Sequence, residues 1–417
     1  MISNNPFQIT FTLKQHTPII HFQHDQDDAT LRASEVKPKL DRFILTKLGA
    51  ESDQNLVGND AKYKKGIEIA KKRNWLVGDE EYAALNYKIS IIAKPNKTTI
   101  KSGIKLINEE GIDLKNSCYN PDIKVKILTF ISTLKYKIED IIEDFFVLHS
   151  FGNRQNKGWG CFYHENTKSF DKVKAILQRN SILAFDSNES NVTIYNFYSI
   201  ISKKWRILKS GINFPANPQR NFNGQYKKAL VFKYSSSQNL RWDKRWMKKE
   251  IKNLIPKDLP KNLKGRNAPN DIVSSLKPCS DIPSINNWQD KGNAEYRFIR
   301  ALLGLPELIE FRAFDNYVYQ VIVKSNNVDR CQASVIFKLF DKKLYAMVFP
   351  LPNEIYNRPF SFKIKTKEGK SQVGEIIDIK ENSGIKQLYT PSIQEFSLNN
   401  FLSDYFPCIG FNLIKYK

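Results

Sequence analysis

Two stretches of the sequence combine basic side chains with backbone features that can bind phosphate. The first runs from Thr30 to Phe43, where Ser34 is the expected N-cap of a helix that ends near Gly49. Free N–H groups in the first turn of a helix form an anion site when cations lie beside them. Four cations surround this expected helix start: Arg32, Lys37, Lys39 and Arg42. The alternative is an amphipathic helix with a solvated basic face.

The second stretch is FGNRQNKGWG, residues 151–160, in which glycines alternate with side chains suited to nucleic acid. Glycine lets the backbone bend sharply and approach a ligand, because it has no Cβ. The candidate RNA-binding residues here are Gly152, Arg154, Lys157, Gly158, Trp159 and Gly160. A flexible turn that joins a helix to a strand is the alternative.

Hydrophobic periodicity predicts the elements that position both stretches. Alternation predicts strands over Phe7–Leu13, Tyr87–Ile91, Ile123–Ile131 and Trp159–Tyr163, and helical spacing predicts helices over 34–48 and Lys137–His149. The resulting order is strand, helix, strand, strand, helix, strand. This is the split βαβ order of a ferredoxin-like domain. The glycine-rich stretch then joins the second helix to the fourth strand.

A third region, Lys203–Arg266, concentrates the charge of the chain. It holds 18 Lys and Arg against 3 Asp and Glu, with aromatic residues between them. Cations neutralise phosphates and aromatic rings stack on unpaired bases, so this combination favours single-stranded RNA. We expect part of this segment to be loosely ordered until RNA binds. Its candidate contacts are Lys209, Arg220, Arg241, Lys244 and Arg245.

One cluster could support catalysis. His16, His21 and His24 lie near three aspartates, among them Asp27, and a histidine there could act as a general base in RNA cleavage. The spacing fits no metal-binding motif, and phosphate-loop, nucleophile-elbow and H-E-x-x-H motifs are absent from the sequence. We therefore expect no metal and no cofactor, and we keep catalysis by this cluster as an alternative.

Composition sets the broad class. The chain has 417 residues, a net charge of +22 and 41% hydrophobic residues, which predicts two or three folded domains and a polyanionic or acidic partner. No signal-peptide pattern and no apolar run of about 18 residues occurs. Five widely spaced cysteines form neither a zinc pattern nor a disulfide framework. A reducing cytoplasm is the expected compartment.

The two phosphate-binding stretches resemble the RAMP superfamily of CRISPR-associated RNA-binding proteins. In that family the first strand ends near a Thr-Pro pair, here Thr17-Pro18, and a glycine-rich loop follows the second helix. Three further segments, 208–222, 296–306 and 329–340, resemble the two-domain RAMP subunit numbered first in the Cmr, or type III-B, effector. Asp28 and Pro38 stand where these families more often have glycine.

The resemblance implies a mixed α+β chain of two ferredoxin-like (RAMP- or RRM-like) domains, 1–190 and 191–417, with helical and basic insertions. It further implies a non-catalytic RNA-binding subunit of a type III effector. The implied partners are the 3′ part of the guide RNA, target RNA and other RAMP subunits. The lack of a long apolar run predicts no membrane partner. The alternative is a metal-independent RAMP endoribonuclease that processes precursor RNA, with His16, His21, His24 and Asp27 as its candidate residues.

Overall fold

The chain divides into two compact units, each a mixture of helices and sheets. The computed structural model describes residues 5–20, 30–78, 84–93, 117–120, 122–214, 225–254, 295–305, 308–312, 317–324, 333–368, 371–372, 377–378, 380–381 and 384–416. These residues form eight α-helices and several β-sheets, which confirms the predicted mixed α+β class. Unit 1 contains residues 1–198, 336–347 and 414–417, and unit 2 contains 199–335 and 348–413.

The elements from residue 8 to residue 187 belong to unit 1. They are β1 (Gln8–Gln15), β2 (Ile19–Ile20), α1 (Ala33–Ser52), α2 (Asn59–Lys72), β3 (Leu76–Val77), β4 (Ala84–Leu85), β5 (Lys88–Ala93), β6 (Ser117–Cys118), β7 (Asp122–Leu128), α3 (Ser132–Leu148), β8 (Phe162–His164), α4 (Phe170–Arg179) and β9 (Leu183–Ser187).

The later elements continue from residue 197. They are α5 (Phe197–Lys209), β10 (Ile212–Phe214), β11 (Gln225–Lys227), α6 (Leu230–Ser237), β12 (Arg241–Trp242), α7 (Asp243–Leu254), β13 (Tyr296–Arg297), β14 (Leu308–Arg312), β15 (Tyr317–Lys324), β16 (Val335–Phe340), β17 (Lys343–Val348), β18 (Pro359–Glu368), β19 (Ser371–Gln372), β20 (Ile377–Asp378), β21 (Lys380–Glu381), β22 (Gly384–Ile385), β23 (Gln387–Tyr389), α8 (Leu398–Tyr405) and β24 (Phe411–Leu413).

The main sheet of unit 1 has the strand order β5-β7-β1-β8, and each neighbouring pair is antiparallel. Its strands and the helices α1 and α3 follow the predicted chain order of strand, helix, strand, strand, helix, strand. Alternate residues of β1 and β7 are buried, as in Phe11 opposite Val125. These side chains pack with α1 and α3 into one hydrophobic core. Each fully buried aliphatic or aromatic side chain of this kind stabilises the fold by about 1.5–3 kcal/mol.

Helix α1 differs from the prediction at both ends. It begins at Ala33 and not after Ser34, so Ser34 lies inside the helix and is exposed. Pro38 is therefore the sixth helical residue, and it denies the Ser34 carbonyl the usual bond from four residues ahead. Water can serve that carbonyl at an exposed position. The helix also continues past Gly49 to Ser52.

Gly49 does not end α1 because it serves helix packing instead. A Cβ added to Gly49 would overlap the backbone carbonyl of Lys62 on α2, and one added to Gly66 would overlap that of Leu45 on α1. The two glycines thus face the opposing helix reciprocally and let α1 and α2 approach until their backbones touch. A lone glycine in a helical pattern predicts a helix end as readily as a close contact, so the sequence did not separate the two.

This contact makes a helix-favouring substitution harmful. Gly66→Ala would normally stabilise a helix interior by about 1 kcal/mol. Here the added methyl group meets backbone, so we expect a net loss of about 1–3 kcal/mol in the free energy of unfolding. Urea denaturation measures the change, and Lys64→Ala, at an exposed position of the same helix, is the control. Equal stability of Gly66→Ala and Lys64→Ala would contradict the close contact.

Unit 2 is built on a sheet with the order β12-β13-β23-β18-β15-β14. Beside it, Asp243 at the start of α7 is fully buried and accepts a hydrogen bond from the Arg300 side chain at 2.5 Å. The described parts of the basic segment, 203–214 and 225–254, form α5 to α7 with three short strands. Residues 215–224 and 255–266 lie outside the described residues. Within the described chain, no helix is both long and apolar enough to cross a membrane.

Candidate nucleic-acid interface

The glycine-rich loop, residues 151–160, packs against the chain just after β1. The Asn153 N–H donates to the Ile20 carbonyl at 2.7 Å, and the Gly160 N–H donates to the Pro18 carbonyl at 2.9 Å. The Thr17 hydroxyl accepts from the Cys161 N–H at 2.9 Å. The Thr17-Pro18 break and the loop, more than 130 residues apart in sequence, therefore form one structure.

Two of the loop glycines are required by this packing. Gly152 has φ +77°, and a Cβ there would lie 2.5 Å from the Ile20 carbonyl oxygen. Gly160 has φ +65°, and a Cβ there would overlap the carbonyl of Phe151. The left-handed conformation and the lack of space both exclude larger residues. The close approach that the glycines allow is thus to the chain's own backbone.

The first turn of α1 anchors the same loop. The Gly152 N–H donates to Glu35 Oε1 at 2.7 Å, and Lys39 Nζ binds that oxygen at 3.2 Å. Lys39 also donates to the Ser150 carbonyl at 3.1 Å and to Gln155 Oε1 at 2.9 Å. Burial lowers the pKa of Lys39, and the Glu35 carboxylate opposes that shift. The first turn of α1, where a phosphate site was predicted, therefore carries the Glu35 carboxylate. Lys39 cross-links this turn to the loop.

The tip of the loop presents two cations. The Lys157 N–H donates to the Arg154 carbonyl at 2.8 Å, which closes a tight turn and holds the two Cα atoms within about 7 Å. Arg154 adopts φ +57° and donates to the Tyr198 hydroxyl at 2.8 Å. Both side chains are partly exposed. The Lys157 ammonium has no hydrogen-bond or ion-pair partner among the described residues.

Two other loop residues face inward. Trp159 is 2% exposed, and its ring packs 5.2 Å from that of Phe197 and 5.7 Å from that of Tyr198. Gly158 is also buried, with φ +84°. The Trp159 ring therefore supports the loop from beneath and offers no face for stacking in this conformation.

Lys37 and Arg42, two of the predicted cations of α1, lie away from this loop. Lys37 lies about 160° around the helix from Lys39 and binds Asp41 at 2.7 Å and the Leu85 carbonyl at 3.0 Å. Arg42 is exposed and binds Asp60 of α2 at 2.7 Å. Arg32 is half-buried directly before α1. The structure thus places Lys39, Arg154 and Lys157 at the loop and separates Lys37 and Arg42 from it.

A segment that is distant in sequence also binds the loop. The Phe337 N–H of β16 donates to the Asn156 carbonyl at 3.1 Å. Its neighbour Lys338 is fully buried and donates to the carbonyls of Phe146 and His149, at 2.8 and 2.6 Å, at the end of α3. Burial lowers the pKa of Lys338 to about 8. Sequence reasoning missed this residue, although one lysine inside the apolar run VIFKLF was a usable signal.

The basic segment of unit 2 also uses lysines internally. Lys209 Nζ donates to the Gly304 carbonyl at 2.6 Å, and Lys244 Nζ donates to the Ser210 carbonyl at 3.0 Å. Burial, with Arg300 and Lys248 nearby, lowers the pKa of Lys244 to about 7. The other two described candidates lie over aromatic rings: Arg241 is 5.2 Å from Tyr296, and Arg245 is 5.8 Å from Phe232. Arg220 lies outside the described residues.

His16 is the described member of the candidate catalytic cluster. Its ring stacks 4.9 Å from that of Phe340, and its Nδ1 accepts from the Asp341 N–H at 2.6 Å. Burial lowers the pKa of His16 to about 4, so the ring is neutral near pH 7. His21, His24 and Asp27 lie outside the described residues. In the described part of the chain, no three His, Cys, Asp or Glu side chains are arranged to hold a metal ion.

The environment of His16 predicts a pH dependence of stability. Between about pH 6.5 and pH 4 the unfolded chain protonates this ring and the folded chain does not, so lowering the pH destabilises the fold. His16→Asn retains an acceptor for Asp341 but removes the titration. We therefore expect the free energy of unfolding to fall less steeply in the variant, by at most about 1.4 kcal/mol per pH unit.

Urea denaturation of both proteins at a series of pH values measures this difference. His149, which is buried and has its pKa lowered to about 4, leaves a residual slope in the variant. Identical slopes in the two proteins would show that His16 titrates as an exposed histidine.

Comparisons with known proteins assign both halves of the chain. The family model for the Cmr1 N-terminal domain matches residues 7–212, and that for the Cmr1 C-terminal domain matches residues 226–414. Among curated proteins no match is found. The two matched regions cover nearly the whole chain and follow each other in the expected order. The chain therefore belongs to the Cmr1 family, whose members are subunits of the Cmr, or type III-B, CRISPR effector complex.

Proposed function

We propose that this chain is a non-catalytic RNA-binding subunit of the type III-B effector, in contact with the 3′ part of the guide RNA, with target RNA, or with both. The observation that carries the proposal is the turn 154–157 at the tip of the glycine-rich loop. It carries Arg154 and Lys157, three residues apart, on a backbone that is hydrogen-bonded to three other segments of the chain.

A fixed loop is suited to a phosphate backbone. A loop whose backbone is already fixed loses little backbone freedom on binding, so more of the electrostatic attraction appears as affinity. The hydrogen bonds of the loop with Ile20, Glu35 and Phe337 supply this fixation before any ligand arrives. Phosphate contacts of this kind bind RNA without reading its sequence, which suits a subunit that must accept any guide.

The remaining charge of the chain supports a polyanionic ligand. The net charge is +22, and the lysines bound to internal carbonyls account for a small part of it. We retain Arg32 as a flanking contact of the loop, and Arg220, Arg241 and Arg245 as candidate contacts of the second half. Partner subunits of the Cmr complex complete the RNA path in this proposal.

We also infer two ferredoxin-like domains, 1–190 and 191–417. The support in the first half is the antiparallel order β5-β7-β1-β8 with α1 and α3 on one face. In the second half the inference rests on the family resemblance.

The non-catalytic role can be tested against the endoribonuclease alternative. The neutral, half-buried ring of His16 accepts a backbone N–H and is poorly matched to proton transfer near pH 7. We therefore expect purified protein to leave labelled repeat RNA intact with and without divalent cations. Specific cleavage that is lost in His21→Ala or His24→Ala would instead establish the enzyme.

RNA affinity tests the loop directly. We expect Arg154→Ala/Lys157→Ala to bind single-stranded RNA more weakly, with similar losses for unrelated sequences. The dependence of log K on log salt should become shallower by about 0.7 for each phosphate contact removed. Fluorescence anisotropy at several salt concentrations measures both quantities.

The matched control is Lys64→Ala/Lys72→Ala, which removes the same charge from exposed positions of α2. A control that loses as much affinity as the loop variant would mean that net charge, and not this loop, determines binding.

A further inference from the structure

The main sheet of unit 1 has a second face that the loop does not use. The helices cover the face formed by residues such as Ile9, Phe11 and Val125. The opposite residues of β1, β7 and β5 are half-buried or exposed and polar in most cases. On this outer face lie Gln8, Thr10, Thr12 and Lys14 of β1, Lys124, Lys126 and Leu128 of β7, and Lys88, Ser90 and Ile92 of β5.

Three lysines form a track across this face. Lys124 and Lys126 are two residues apart on β7, and therefore about 7 Å apart. Lys88 lies opposite Leu128, diagonal to Lys126, at a spacing of about 7–8 Å. None of the three forms an ion pair within the described residues. The nearby acids are already engaged, because Asp122 pairs with Lys14 and Glu165 accepts the Thr12 N–H.

An exposed aromatic pair stands at the Lys88 end of the track. Phe130 follows Leu128 by two residues and is 74% exposed, which is unusual for a phenylalanine. Its ring centroid lies 5.2 Å from that of Phe7, which is 43% exposed. The Thr129 N–H donates to the Phe7 carbonyl at 3.0 Å and fixes the backbone that carries the pair.

We propose that this outer face is a second binding surface for single-stranded RNA, with phosphates along Lys88, Lys126 and Lys124 and an unpaired base stacked on Phe130. This inference rests on the proposed function in one respect, which is that RNA is the ligand. Basic tracks beside exposed rings are how proteins hold single strands, because cations bind the backbone and any base can stack.

An acidic protein surface is the other occupant that the lysines could attract. The composition of the face favours RNA, because its centre holds threonine, serine and lysine, with Leu128 and Ile92 as its apolar members. Protein interfaces of stable complexes have an apolar centre that is depleted in charge. The exposed ring of Phe130 at the end of the track also suits one stacked base better than a broad protein interface.

Two variants test the two contacts separately in the full chain. In Lys88→Gln/Lys124→Gln/Lys126→Gln we expect the slope of log K against log salt, measured with a fluorescein-labelled oligo-uridine, to shrink by about 2. In Phe130→Ala we expect affinity to fall by about 5- to 150-fold with the slope unchanged. Phe130→Trp should retain binding, since it keeps a stacking surface.

Matched controls come from the same unit. Lys64→Gln/Lys72→Gln/Lys168→Gln removes three exposed lysines from α2 and the turn after β8. Tyr136→Ala removes a ring of α3 that is 68% exposed. Both controls should bind RNA as the parent protein does, apart from a small uniform effect of net charge.

The outcomes separate this inference from the proposed function. If the sheet variants match their controls while Arg154→Ala/Lys157→Ala weakens binding, the second surface is wrong and the loop stands. If the sheet variants keep RNA affinity but no longer co-purify with the other Cmr subunits, the face is a protein interface and the inference is overturned. A parent chain that binds no RNA would overturn both proposals.

Discussion

The hydrogen bond from the Gly152 N–H to the Glu35 carboxylate is the contact on which the candidate interface depends. It joins the first helix to the glycine-rich loop across more than a hundred residues of sequence. A half-buried carboxylate needs compensation, which Lys39 provides while also binding the Ser150 carbonyl. The loop can reach Glu35 only because Gly152 adopts a positive φ beside Ile20. Helix, lysine and glycine therefore act as one unit.

Lysines have a structural role in this basic chain as well as a proposed binding role. Lys338 donates to the last carbonyls of α3, where the helix dipole favours a cation. Lys244 likewise donates to the Ser210 carbonyl, which follows α5, and Lys209 donates to the Gly304 carbonyl, which follows a short 3-10 helix, Ile299–Leu303. In each case a cation satisfies a backbone carbonyl at or just beyond the C-terminal end of a helix, where intrahelical partners are lacking. A count of basic residues therefore overstates the charge that is available to bind RNA. The available cations must be identified one by one.

The two proposed RNA surfaces of unit 1 are different in kind. The loop is a backbone turn that is fixed by hydrogen bonds and carries two cations at its tip. The sheet face is a β-sheet surface on which strand register sets the spacing of the lysines, and an aromatic pair lies at one end. The first suits a bend in a phosphate backbone, and the second suits an extended strand with an unpaired base. Both surfaces depend on the same core, because β1 is a strand of the sheet and leads directly to Thr17-Pro18, where the loop packs.

The sequence by itself determined the order of strands and helices around β1, the position of the glycine-rich loop and the resemblance that the family matches confirm. These features depend on local periodicity and on motifs that are contiguous in the chain. The tertiary structure decided which cations remain available: Lys39 and Lys338 became internal donors, Lys37 and Arg42 turned to other partners, and Trp159 became buried. It also decided that Gly49 packs against α2 and does not end α1. A pattern in one segment cannot specify these outcomes, because each depends on the shape and unpaired polar atoms of a segment that is distant in sequence.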